Sequence, residues 1–138
     1  AWADVVSIHT PLNDETRNMI NREIVAAMKP GSIFVNCARG GLVDLDALEW
    51  GLRHGPLDAA ALDVFPEEPP AEHPLIAAWL AEETWLRGRL CITPHSSFYS
   101  EATFAEIRGG AAATAAAYLR DGSLINCVNQ AFLNASEI

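Results

Sequence analysis

The sequence predicts an α/β fold, a doubly wound parallel sheet followed by a long C-terminal helix, and three observations predict it. Short apolar or β-branched runs recur along the chain at Asp4–His9, Ser32–Asn36, Ala59–Phe65 and Leu90–Thr93. Stretches with helical spacing of apolar residues separate them, the alternation expected of βαβ units around a parallel sheet. Chemically capable residues stand at or just past the ends of three of the runs: Arg39, then Asp63 with Glu68, then His95. In open α/β sheets that is where ligands bind, because the C-terminal strand ends lie side by side.

Each element has its own signal. Asp4–His9 reads as a buried parallel strand that leaves through Thr10-Pro11. Asp14 is expected to cap a helix carrying Met19, Ile20, Ile24 and Met28 on one face, and Lys29-Pro30-Gly31 ends it. The strand Ser32–Asn36 leads through Cys37-Ala38-Arg39-Gly40-Gly41 into a helix from about Asp44 to Arg53, closed by His54-Gly55-Pro56. Ala59–Phe65 is a third strand, and Pro66-Glu67-Glu68-Pro69-Pro70 cannot continue it. The fourth, Leu90–Thr93, is broken by Pro94. Sheets of this class ordinarily have about five or six strands, and four are visible. From Ser100 to Leu119 one long helix is expected, with Ser100 as N-cap and close packing or a kink at Gly109-Gly110. The Ala-rich run 111–117 reads as a small-residue face of it.

Length and composition bound the function. With 138 residues the chain suffices for one domain, and half apolar and a fifth charged it reads as globular. Eighteen acidic residues against nine basic give a net charge of −9, which argues against nucleic acid or an anionic membrane as a partner. Cys37, Cys91 and Cys127 are widely spaced, with no CxxC and no Cys/His cluster at metal spacing, so no metal is expected and a reducing cytoplasm is the economical location. No apolar run is long enough for a membrane helix. No secretory signal is visible, and the abrupt Ala-Trp-Ala-Asp opening suggests a piece of a longer protein.

The polar residues at the strand ends suit hydride transfer involving a 2-oxo or 2-hydroxy acid. A guanidinium at position 39 can grip a carboxylate in two parallel hydrogen bonds and polarise the neighbouring carbonyl. A histidine at position 95 can deliver or take the proton. A glutamate at position 68 can orient the imidazole, its opposite charge favouring the protonated ring. Each also has a bland reading: a surface arginine beside a glycine turn, a structural histidine after Thr-Pro, one acid among several in a solvated loop. Asp63 is harder to read blandly, because a carboxylate ending an apolar strand needs a partner.

Three stretches decide between the readings by their company. Asn36-Cys37-Ala38-Arg39-Gly40-Gly41-Leu42-Val43-Asp44, Ala61-Leu62-Asp63-Val64-Phe65-Pro66-Glu67-Glu68-Pro69 and Ile92-Thr93-Pro94-His95, in this order, resemble the C-terminal signatures of the D-isomer-specific 2-hydroxyacid dehydrogenases. Asp4-Val5-Val6-Ser7-Ile8-His9-Thr10-Pro11-Leu12, with Thr16, is similar to the strand and loop before the first of them. The resemblance covers most of residues 3–108, and its nearest branch looks like the group of C-terminal binding proteins and phosphoglycerate dehydrogenases.

The resemblance implies the C-terminal half of a Rossmann-type NAD-binding domain over residues 1–98, with 99–138 a long helix and tail that packs back toward a substrate domain. It implies Arg39, Glu68 and His95 as catalytic residues. It places Thr10, Pro11, Asn13, Thr16, Cys37, Ala38, Arg39, Asp63, His95 and Ser97 against the dinucleotide, Asp63 on the nicotinamide carboxamide. Phe98 falls where that branch has an aromatic over the substrate pocket, with plain packing as the equal alternative. The cofactor implied is NAD or NADP, the partner a small 2-oxo or 2-hydroxy acid, and the assembly a homodimer. No G-x-G-x-x-G occurs in the sequence, so the isolated chain is expected to be inactive. Residues 76–89 lengthen the connection before Ile92, and their two tryptophans are expected at a subunit contact, with a packed surface helix as the alternative. The rival functions are a non-catalytic NAD(H) sensor of corepressor type, suggested by Tyr99-Ser100-Glu101 and Asn126-Cys127-Val128-Asn129, and an inactive fragment.

Overall fold

A computed structural model describes residues 2–133. The chain divides into two compact units, Ala1–Ser97 and Phe98–Ile138.

The first unit is built on four parallel strands in the order β1 (Val5–Ile8), β2 (Ser32–Asn36), β3 (Leu57–Leu62) and β4 (Leu90–Ile92). Register pairs Val6 with Phe34, Phe34 with Ala60, and Ala60 with Leu90, so these side chains share one face. Phe34, Ala60, Leu62 and Leu90 are buried in one apolar core with Val25, Leu48, Leu52 and Leu75 from the helices. The positions between them, among them Val5 and Ile33, remain exposed on the opposite face. Three helices supply the other half of the core: α1 (Arg22–Ala26), α2 (Leu45–Arg53) and α3 (Pro74–Leu80). Among the described residues, no helix is long and apolar enough to cross a membrane.

α2 forms where its pattern predicts. Asp44 accepts hydrogen bonds from the Asp46 and Ala47 amides, capping the first turn, and Ala47, Leu48 and Leu52 face the core. Gly51 lets α1 approach, since a Cβ there would lie 2.6 Å from Val25 Cγ1.

The helix expected from Asp14 to Met28 is shorter. Asn13 closes a separate turn, its side-chain oxygen accepting from the Glu15 and Thr16 amides. Asn18 then adopts a left-handed conformation at φ 51°. The Asn18 and Ile20 amides donate to Gly41 and Leu42, and the Asp44 amide to Ile20, so this segment is tied to the stretch past Arg39 instead of to its own helix. Only Arg22–Ala26 is helical, capped by Asn21. Met19 and Ile24 are exposed, and Val25 takes the fully buried place.

The segment 76–89 also departs from expectation. α3 begins at Pro74 under a His73 cap, and Leu75, Ile76 and Ala78 are buried. Trp79 and Trp85 pack against the chain's own core. The Trp79 indole donates to the Leu90 carbonyl at 3.1 Å, and the Arg53 guanidinium covers Trp85 at 3.8 Å. The tryptophans thus complete this unit instead of offering the bare aromatic surface of a subunit contact.

The second unit is dominated by α4 (Glu101–Asp121), with α5 (Gln130–Leu133) following. Ser100 Oγ accepts from the Thr103 amide, and Gly122, at φ 73°, ends α4 in the left-handed conformation that glycine adopts without a Cβ clash. No neighbour lies within 4 Å of a Cβ built at Gly109 or Gly110, so the close packing expected there is absent among the described residues. The tail beyond residue 133 lies outside the described residues.

Candidate active site

The site grows from the ends of β2, β3 and β4. After β2, buried Asn36 folds its side chain back, accepting from the Ala38 amide at 3.0 Å and donating to the Arg39 carbonyl at 3.0 Å. This local closure holds Cys37, Ala38 and Arg39 in a turn with an exposed Arg39. A 3₁₀ turn, Gly40–Leu42, follows. A Cβ at Gly40 would lie 1.8 Å from the Phe65 carbonyl carbon, so only glycine lets the Arg39 turn touch the segment after β3.

Asp63 follows β3 and is 2 % exposed. Its Oδ1 accepts from the Thr93 hydroxyl and from the Ser96 amide at 2.8 Å, and its Oδ2 accepts from the Ser97 amide at 2.9 Å. Burial pushes this carboxyl up, but the hydrogen bonds from Thr93, Ser97 and Ser96 outweigh it and leave the pKa at about 2. Two residues on, the Phe65 amide donates to Glu68 Oε1 at 3.0 Å. Glu68 Oε2 meets His95 Nδ1 at 2.7 Å. The His95 hydrogen bond, seconded by the Phe65 amide, holds the Glu68 carboxyl below the usual carboxylate range. An ionised carboxylate only accepts, so Nδ1 carries a proton and Nε2 is left for other work.

The structure therefore brings Asp63, Glu68, His95 and Ser97 into one network. Arg39 stands on the neighbouring strand end and turns to its own backbone, its Nη1 donating to the Ala38 carbonyl at 2.6 Å, outside the Glu68–His95 pair. Thr10, Pro11, Asn13 and Thr16 form their own closed turn past β1, in which Thr16 Oγ1 donates to the Pro11 carbonyl at 2.7 Å and accepts from the Asn13 amide. Phe98 belongs to the second unit and is half exposed.

Sequence reasoning did not single out Thr93, Ser96 or Gly40, and it set Trp79 at a subunit contact. Trp79 instead lines a cavity of about 410 Å³ with Asp63, Phe65, Glu68, Ile92 and His95. The signal for Thr93 and Ser96 was present in Asp63 itself, a buried acid that required donors. Asp46, Glu49 and His73 form a further unforeseen group, with ligand-type atoms within 4.8 Å of one another. It has a structural account: His73 Nδ1 accepts from the Leu75 amide, which puts the ring proton on Nε2 facing Asp46 at 3.2 Å, and Glu49 accepts from Arg53 at 2.8 Å.

The residues present fit the nicotinamide end of a dinucleotide: exposed polar groups and backbone converge at adjacent strand ends, beside a histidine with one free ring nitrogen. The glycine-rich motif that would hold the pyrophosphate does not occur in the sequence.

Comparison with known proteins shows the family. The family profile for the D-isomer specific 2-hydroxyacid dehydrogenase, NAD binding domain, matches residues 1–97. D-3-phosphoglycerate dehydrogenase of Methanocaldococcus jannaschii is 54 % identical over 74 residues, covering 54 % of this chain and 14 % of that protein. Among solved structures, a Thermus thermophilus protein superposes with a TM-score of 0.76 at 42 % identity, covering 91 % of this chain and 38 % of that one. D-lactate dehydrogenase with NAD+ from Lactobacillus jensenii does so with a TM-score of 0.71 at 30 % identity, covering 88 % and 38 %. The chain thus spans well under half the length of these relatives. Through residues 1–97 it belongs to the D-isomer specific 2-hydroxyacid dehydrogenases, as their NAD-binding domain.

Proposed function

We propose that the protein carrying this chain interconverts a 2-oxo acid and a D-2-hydroxy acid, with Arg39, Glu68 and His95 as its catalytic residues. The observation that carries the reading is the 2.7 Å contact of His95 Nδ1 with Glu68, which leaves Nε2 for proton exchange. NAD, when bound, supplies the hydride acceptor or donor. On this reading Cys37, Ala38, Ser97 and the turn Thr10–Thr16, with Pro11 and Asn13, border it.

Arg39 grips the substrate carboxylate through paired N–H donors and draws electron density from the adjacent carbonyl. His95 gives its Nε2 proton to the carbonyl oxygen as the hydroxy acid forms and recovers it in the reverse direction. Glu68 keeps the ring in the required tautomer and balances its charge while Nε2 is protonated. Substitution His95→Gln in the protein that carries this sequence is predicted to lower turnover of 2-oxo acids with NADH by roughly 10²- to 10⁴-fold. Near-normal turnover would remove His95 from the role.

The same reading makes the protein a cytoplasmic homodimer. Its three cysteines are unpaired, as in a reducing compartment, and the uncovered sheet face leaves Val5 and Ile33 for another surface to cover. Light scattering coupled to gel filtration is predicted to give twice the chain mass, and a monomer at every concentration would contradict that.

A further inference from the structure

We infer that Asp63 is a positioning residue for His95, acting through the turn 93–97, and that Thr93 completes the hold. The resemblance implied a different task, contact with the nicotinamide carboxamide. The partners of this carboxylate point elsewhere. A carboxylate has about four acceptor positions, and three of them are filled by Thr93 Oγ1, the Ser96 amide and the Ser97 amide. At most one position on Oδ2 is left for a cofactor.

The filled positions all lie on the turn that presents His95. The His95 amide adds a fourth tie, donating to the Asp63 carbonyl at 2.8 Å. Held between these ties, His95 sits at φ 52°, in the left-handed region that non-glycine residues seldom occupy. Such a conformation persists only where its surroundings impose it, and here Asp63 makes most of the ties, the His95 amide also reaching the Thr93 carbonyl at 3.1 Å. Asp63 also begins the segment whose Phe65 amide fixes Glu68 Oε1. Both partners of the Glu68–His95 contact are therefore referred to the same point at the end of β3. The consequence is that the imidazole's direction is set by a buried carboxylate that touches neither substrate nor proton.

This inference deepens the reading of His95 as the proton-moving group, and its test needs no cofactor or substrate, so the two can fail separately. The experiment is nuclear magnetic resonance on the 138-residue chain, comparing amide hydrogen exchange and the His95 ring nitrogen resonances. Three variants are compared with the parent: Asp63→Asn, Thr93→Val and Thr93→Ser. Asparagine keeps one acceptor oxygen but sets an NH2 group against an N–H donor, and valine removes the hydroxyl donor. Asp63→Asn is expected to speed exchange at Ser96 and Ser97 by at least about tenfold, the equivalent of one charge-assisted hydrogen bond. It should also move the His95 Nδ1 resonance toward that of an unpaired imidazole, while Phe34 and Ala60 keep their protection. Thr93→Val should produce both changes in smaller measure, and Thr93→Ser should restore the parent behaviour. If Asp63→Asn does not fold, the two Thr93 variants decide. Unchanged exchange at Ser96 and Ser97, an unchanged His95 ring signature, or a Thr93→Ser variant indistinguishable from Thr93→Val would overturn the inference.

Discussion

Asp63 carries an acid dependence that can be read separately from the rest of the chain. Its folded pKa of about 2 lies below the ordinary 3.8, so its contribution to stability is complete above the unfolded value and is lost as the pH falls through about 2. A displacement of that size corresponds to about 2 kcal/mol. Denaturant unfolding of the parent is predicted to weaken by this amount between about pH 5 and pH 2, and in Asp63→Asn that part of the pH dependence should disappear. An unaltered acid slope in the variant would mean that the hydrogen bonds from Thr93, Ser96 and Ser97 do not favour the charged form. Glu68 shifts in the same direction, but it is partly open to solvent, and screening makes its share smaller.

At the scale of elements, the site depends on how closely two turns approach. The Arg39 turn meets the segment after β3 backbone to backbone at Gly40, and an alanine there forces one to retreat. Gly40→Ala is predicted to destabilise the fold by about 3 kcal/mol, measured by chemical denaturation. A loss under about 0.5 kcal/mol would show that the contact is not tight in solution. Strands and the Ser100 cap were legible in the sequence because each rests on a local signal: β-branched runs bounded by Pro or Gly, or an oxygen-bearing side chain before an apolar period. The helix proposed from Asp14 was not, because its residues satisfy their backbone groups across a long sequence separation, at Gly41, Leu42 and Asp44. Local spacing carries no trace of such a partner. The tryptophans of 76–89 failed for a related reason: amphipathicity says that a face is apolar, and only the fold says that β4 and Arg53 cover it.

For the molecule as a whole, the motifs alone were enough to locate the candidate residues. Arg39, Glu68 and His95 were legible as types at strand ends, and parallel register places those ends side by side. The tertiary hold was not legible: Thr93 and Ser96 act through a hydroxyl and an amide, groups that any sequence offers in abundance. We propose that the ends of β2, β3 and β4 form the nicotinamide end of a dinucleotide site. The measurement that tests it most directly is titration of the 138-residue chain with NADH, followed through backbone amide shifts. Saturable shifts gathered at Thr10–Thr16, Cys37–Arg39, Asp63 and His95–Ser97 are the predicted result. Saturable shifts lying elsewhere, or none at these residues at millimolar NADH, would contradict the claim.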